Sequence, residues 1–167
     1  MRVLAIDAST KSTGIALFED EQLLEYKCIT ASSPDLIKRI QKILVELKTF
    51  VATHQMIDTI VLEEVRPDNG YHANPKVFKA LMYLQAAIAF WLHEQYPKVN
   101  LEFVYPSEWR SKCGIKTGRG LRRDNQKESD IQFVKETYHI DVNDDIADAI
   151  GIGHAYVNQL SNEINWE

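Results

Sequence analysis

The chain lacks most of what marks an extracellular, membrane or zinc-binding protein. Its only cysteines are Cys28 and Cys113, with no C-x-x-C spacing. That argues against a disulfide framework or a zinc–thiolate cluster, and predicts a reduced, cytoplasmic setting. No apolar run suits a membrane span, and Met1-Arg2-Val3-Leu4-Ala5-Ile6 meets polar residues too soon for a secretory leader. No membrane partner is therefore expected. Neither Gly114-Ile115-Lys116-Thr117-Gly118 nor Gly118-Arg119-Gly120 has the spacing of a phosphate-cradling Walker loop. Internal repeats, low-complexity tracts and linkers are also missing, so residues 1–167 are expected to form one domain.

An overall excess of positive charge is missing too. The net charge is −5, which argues against a generic nucleic-acid binder. The average conceals an island. Between Arg110 and Lys127 stand seven basic residues (Arg110, Lys112, Lys116, Arg119, Arg122, Arg123, Lys127) and one acid, Asp124. That window is +6, which leaves −11 for the rest. A basic island on an acidic body is an electrostatic footprint for phosphate.

What is present is an alternation of apolar runs and turn chemistry. Val3 to Asp7, Thr13 to Phe18 and Gln22 to Ile29 read as an antiparallel meander, the last two joined by Glu19-Asp20-Glu21. Ser32-Ser33-Pro34-Asp35 reads as a helix start, with a serine cap and proline in the first turn. Leu36, Ile37, Ile40, Ile43, Leu44, Leu47 and Val51 then follow at helical spacing. Ile57 to Val65 and Val99 to Tyr105 read as two more strands. Between them, Asn74 to Gln95 reads as a helix apolar on most sides, one of which suits a second subunit. A short helix starts at Pro106, an amphipathic one spans Asn125 to His139, and a last one runs from a cap at Asn143 or Asp144 to about Leu160. This order indicates an α/β fold around a five-stranded mixed sheet flanked by helices.

Four acids sit where acids are costly. Asp7 ends the first apolar strand, and Glu63 lies in the end of the fourth beside Glu64. Strand alternation puts Val3, Ala5 and Asp7 on one face, and sends Glu63 and Glu64 to opposite faces. Both faces there carry apolar residues, so alternation alone does not choose between the two glutamates. Asp145 and Asp148, three apart, share a helix face next to the small residues Ala147, Ala149, Gly151, Gly153 and Ala155. Converging carboxylates repel one another and lose hydration, a cost that a hard cation such as Mg2+ offsets. This pattern points to a metal-dependent phosphodiester enzyme. His154, nine residues beyond Asp145, falls on the opposite side of the helix and reads as a packing residue.

Together these features resemble the RuvC family of Holliday junction resolvases, within the ribonuclease H-like fold. Ile6-Asp7-Ala8-Ser9-Thr10-Lys11-Ser12-Thr13-Gly14 is similar to that family's first motif, Val61-Leu62-Glu63-Glu64-Val65 to its strand-four motif, and Asp145-Ile146-Ala147-Asp148-Ala149 to its final D-x-x-D-A motif. The resemblance selects Glu63 over Glu64 and implies that Asp7, Glu63, Asp145 and Asp148 bind two Mg2+ ions about 4 Å apart, with Mn2+ as an alternative. It leaves open whether Glu64 or Asp144 assists. Lys127 would offset transition-state charge, and Arg110 would hold the neighbouring phosphate. Arg66, Tyr71, Lys112, Lys116, Arg119, Arg122 and Arg123 would join these two on DNA. The implied activity is resolution of four-way junctions by paired symmetric nicks, carried out by a homodimer. A relaxed branched-DNA or RNA-processing nuclease is the alternative. The chain departs from the family pattern at Arg66, where members carry an aromatic, and in a longer basic loop from Lys116 to Arg123. Both departures bear on junction selectivity and fit a phage or prophage relative acting in a bacterial cytoplasm.

Overall fold

A computed structural model of the chain describes residues 1–54, 56–65, 74–117 and 122–159, and the backbone of 160–164. Among these, five strands and five helices follow one another: β1 (Arg2–Asp7), β2 (Ser12–Glu19), β3 (Gln22–Thr30), α1 (Leu36–Thr53), β4 (Thr59–Glu63), α2 (Pro75–Gln95), β5 (Asn100–Val104), α3 (Pro106–Lys112), α4 (Arg123–Tyr138) and α5 (Asp144–Ile164). The strands form one mixed sheet in the order β3-β2-β1-β4-β5. β1, β2 and β3 are the expected antiparallel meander, whereas β4 and β5 run parallel to β1. The β2–β3 turn has two residues between Glu19 and Gln22, and Asp20 takes the left-handed conformation (φ 51°) that short polar residues tolerate.

Strand alternation divides the core into two layers. Leu4, Ile6, Ile60 and Leu62 point to one face, where Ile40, Ile43 and Leu47 of α1 and Leu84 and Ile88 of α2 cover them. Val3, Ala5 and Val61 point to the other, under Trp109 of α3, Val134 of α4 and Ala149, Ile150 and Ile152 of α5. Side chains on neighbouring parallel strands thus fall into register by face, and Asp7 inherits the α5 side.

Two local expectations are corrected. The cap of α1 is Asp35, whose carboxylate accepts from the amides of Ile37 at 2.8 Å and Lys38 at 3.1 Å. Ser33 instead accepts from the Asp35 amide at 3.2 Å, and Pro34 precedes the cap. A carboxylate is the better partner for the positive end of a helix. Ile37, expected on the apolar face of α1, is 55% exposed, and Val77 near the start of α2 is 52% exposed. In α2, the buried positions are Leu84, Gln85, Ile88, Trp91 and Leu92, with none before Leu84. The outer side of α2 carries Met82, Tyr83 and Phe90, all exposed. Among the described residues, no helix is long and apolar enough to cross a membrane.

Candidate active site

The site forms at the carboxyl ends of β1 and β4, where parallel sheets commonly bind ligands. Ile6 pairs with Leu62, so Asp7 and Glu63 end adjacent strands one residue further on. Val61 lies in the α5-side layer, and a period of two puts Glu63 on that same side. Register therefore selects Glu63. Glu64, one residue on, has its amide donating to the Val104 carbonyl at 2.8 Å as the chain leaves β4.

Close packing by glycine brings α5 to this place. Gly14 is the cross-strand partner of Asp7, and a Cβ on Gly14 would overlap the Asp145 backbone carbonyl. Gly151 admits the Trp109 ring and Gly153 admits Phe18 in the same way. Asn143 begins the helix, its side chain accepting from the Ile146 amide at 3.0 Å. Asp145 then comes within electrostatic reach of Asp7, and Asp148 within reach of both Asp7 and Glu63. Burial, the nearby Glu63 and the nearby Asp145 hold the Asp7 carboxyl well above the usual carboxylate range. Burial likewise raises Glu63. Asp148 is pushed up to about 9, by burial first and by Asp7 next.

Each acid has a different neighbour. Glu63 Oε2 accepts from the indole N–H of Trp109 at 2.7 Å. Asp145 accepts from the Ser12 hydroxyl, which also lies 3.1 Å from Cys28 Sγ. Asp148 Oδ2 lies 3.5 Å from the Arg110 guanidinium. Its Oδ1 is buried and has no partner among the described residues. Asp144 pairs with Lys127, and this contact lowers the Asp144 carboxyl and raises the Lys127 amine.

The basic island divides in two. Lys112, Lys116, Arg122 and Arg123 are exposed, with Lys112 donating to Gln159. Lys127 turns toward the acids while its side chain stays 40% exposed. Arg110, expected on a phosphate, is instead drawn inward with a side chain only 14% exposed. Its guanidinium meets Asp130, a buried acid on α4, and stacks 4.4 Å from the centre of the Trp109 ring. Arg66, Tyr71 and Arg119 lie outside the described residues. His154 accepts or donates at Tyr138 and packs on Phe133, away from the acids, as its helical position predicts.

Three residues of the site escape sequence reasoning. Asp130 is 1% exposed, yet it sits in a polar stretch, and its only signal is burial of Val134 one helical turn on. Ser12 looks like turn chemistry, and Trp109 looks like core. Their hydrogen bonds to Asp145 and Glu63 arise only when α3 and α5 pack on the sheet.

Among the described residues, no group of three or more His, Cys, Asp or Glu side chains stands in a geometry that would hold a metal ion. The donor set nevertheless suits a hard cation. It consists of carboxylates alone, three of which (Asp7, Glu63 and Asp148) are raised above the ordinary carboxylate range chiefly by burial, with an orphaned buried oxygen on Asp148. Mg2+ commonly takes one or two carboxylates and completes its shell with water and substrate phosphate, so a closed protein cage is unnecessary.

No family model matches the sequence, and no curated protein matches it either. Solved structures do share its fold. Thermus thermophilus RuvC in complex with a Holliday junction substrate superposes with a TM-score of 0.74 at 13% identity, over 97% of this chain and 96% of that one. A further structure of T. thermophilus RuvC gives 0.67 at 14% identity, over 97% of both chains. The yeast mitochondrial Holliday junction resolvase Ydc2 gives 0.62 at 13% identity, over 98% of this chain and 82% of that one. The chain has the fold of the RuvC-type resolvases, the ribonuclease H-like arrangement.

Proposed function

We propose that the chain is a metal-dependent, structure-selective DNA endonuclease that resolves four-way junctions by paired symmetric nicks. The observation that carries this reading is the convergence of Asp7, Glu63, Asp145 and Asp148. They come from β1, β4 and α5, at one end of a sheet whose fold is shared with RuvC bound to a Holliday junction. A structural role explains such a cluster poorly, because each partly buried carboxylate loses hydration and weakens the fold that holds it.

In this reading the four carboxylates hold Mg2+, which when bound supplies an activated water and stabilises the departing 3′ oxygen. Trp109 and Ser12 orient Glu63 and Asp145 through single hydrogen bonds. Lys127 stands at the rim, where it can exchange Asp144 for a phosphate oxygen and offset charge in the transition state. Lys112, Lys116, Arg122 and Arg123 supply exposed positive charge for the DNA backbone, so binding weakens steeply with salt. The exposed Met82, Tyr83 and Phe90 of α2 suit an interface with a second copy, and a homodimer would present two sites to one junction.

The test is cleavage of an end-labelled synthetic four-way junction with Mg2+, beside linear duplex and beside Asp7→Asn protein. Paired nicks near the crossover, absent in the variant, support the reading. Equal cutting of any DNA would replace it with a relaxed nuclease, and binding without cutting with a non-catalytic junction binder.

A further inference from the structure

Asp130 is an acid with no place in the reading above. It is 1% exposed on α4, in the layer that holds Val134 and Trp109. A buried carboxylate costs several kcal/mol unless it is paired and hydrogen-bonded. Its partner is Arg110. Nε of Arg110 lies 3.1 and 3.0 Å from the two Asp130 oxygens, and Nη2 lies 2.9 Å from Oδ2. The same Nη2 approaches Asp148 Oδ2 only to 3.5 Å. So a guanidinium placed between buried Asp130 and partly buried Asp148 gives its short bonds to Asp130 and leaves Asp148 loosely contacted.

We propose that Asp130 is a positioning residue that holds the Arg110 guanidinium off the carboxylates that bind metal. This inference rests on the metal-nuclease reading. Besides Asp130, the carboxyl groups that interact with Arg110 through space are Asp148, Glu63 and Asp7. Arginine and carboxylate pair bidentately whenever geometry allows. Without Asp130, Arg110 closes on Asp148 and occupies oxygens the cation needs. With it, the short bonds of Arg110 go to Asp130, and its approach to Asp148 stops at 3.5 Å. α3 fixes this geometry from below. Consecutive residues of one short helix bind Glu63 through Trp109 and Asp130 through Arg110, and the guanidinium stacks on the indole between them. The pair thus resembles the outer-shell partners that orient metal ligands elsewhere, whose loss commonly costs about 10–100-fold in affinity.

The test is Mn2+ binding to DNA-free protein, read by electron paramagnetic resonance, with folding checked by circular dichroism. Wild type binds Mn2+. Asp130→Asn is expected to weaken binding by about tenfold or more, and Arg110→Gln added to it restores binding to near wild type. Equal binding by wild type and Asp130→Asn overturns the inference, as does a double variant as weak as the single one. If Asp130→Asn does not fold, Arg110→Gln alone decides. Binding at least as tight as wild type supports the inference, and weaker binding overturns it. If wild-type protein binds no Mn2+, the metal-nuclease reading itself fails, an outcome distinct from failure of the Asp130 role.

Discussion

The Asp145 backbone carbonyl fills the space that a side chain on Gly14 would take. Gly14 is also the residue opposite Asp7 across β1 and β2, so one missing Cβ brings two acids of the site together. A backbone atom of a helix cannot yield as a flexible side chain does. Gly14→Ala is therefore expected to push the first turn of α5 off the sheet. It should destabilise the protein by about 2–4 kcal/mol and abolish cleavage, as measured by denaturant unfolding and the junction assay.

Asp148→Asn separates chemistry from stability. Cleavage should fall to background while junction binding, measured by gel shift, persists. The apo protein should become more stable by about 1–2 kcal/mol, because an amide fills the same space without the cost of a buried carboxyl among Asp7 and Asp130. That is a rise in Tm of roughly 2–8 °C. Wild-type cleavage by this variant would remove Asp148 from the metal site.

The pH dependence follows from the same group. Unfolded, an aspartate titrates near about pH 4, but in the folded protein Asp148 is pushed up to about 9. Between those values the folded state binds a proton that the unfolded chain has released, so stability falls as pH rises. Asp7 and Glu63 shift in the same direction. Asp144 is lowered by Lys127, and its contribution is lost only on acidification below the ordinary carboxylate range. Metal ligands must be deprotonated, so Mg2+ should add the most stability at the alkaline end. Thermal melts with EDTA or Mg2+ from about pH 5 to about pH 9 should diverge as pH increases. Parallel curves would show that Mg2+ does not bind these acids.

Lys127→Ala tests the rim. Its amine is held by Asp144 yet remains 40% exposed, so its loss should leave the fold intact. Turnover should drop by about 10²–10³-fold with little change in junction affinity. A fall in affinity alone would make Lys127 a binding residue only.

Phe90→Glu tests the outer side of α2. Phe90 is 65% exposed and contributes nothing to either core layer. Sedimentation should show a shift from dimer to monomer with an unchanged melting temperature. Wild-type assembly in this variant would move the interface elsewhere.

Much of this protein was legible from its residues. Alternating apolar strands, helical spacing and turn chemistry are short-range signals, and they placed the five strands, the main helices and the acids at strand ends. They also placed Asp145 and Asp148 on one helix face, since a spacing of three allows little else. The resemblance of three motifs to one family then indicated the fold. Tertiary structure decided the rest. The resemblance selects Glu63 over Glu64, but strand alternation cannot, and the physical reason is the register of β4 against β1, which depends on which face Val61 buries. Asp130 and Arg110 belong to different helices, and only the packing of α3 and α4 on α5 turns them toward each other and away from solvent. Pairing between side chains 20 residues apart in the chain leaves no periodic trace in it. Local spacing can show which face a residue takes, but not what it meets there.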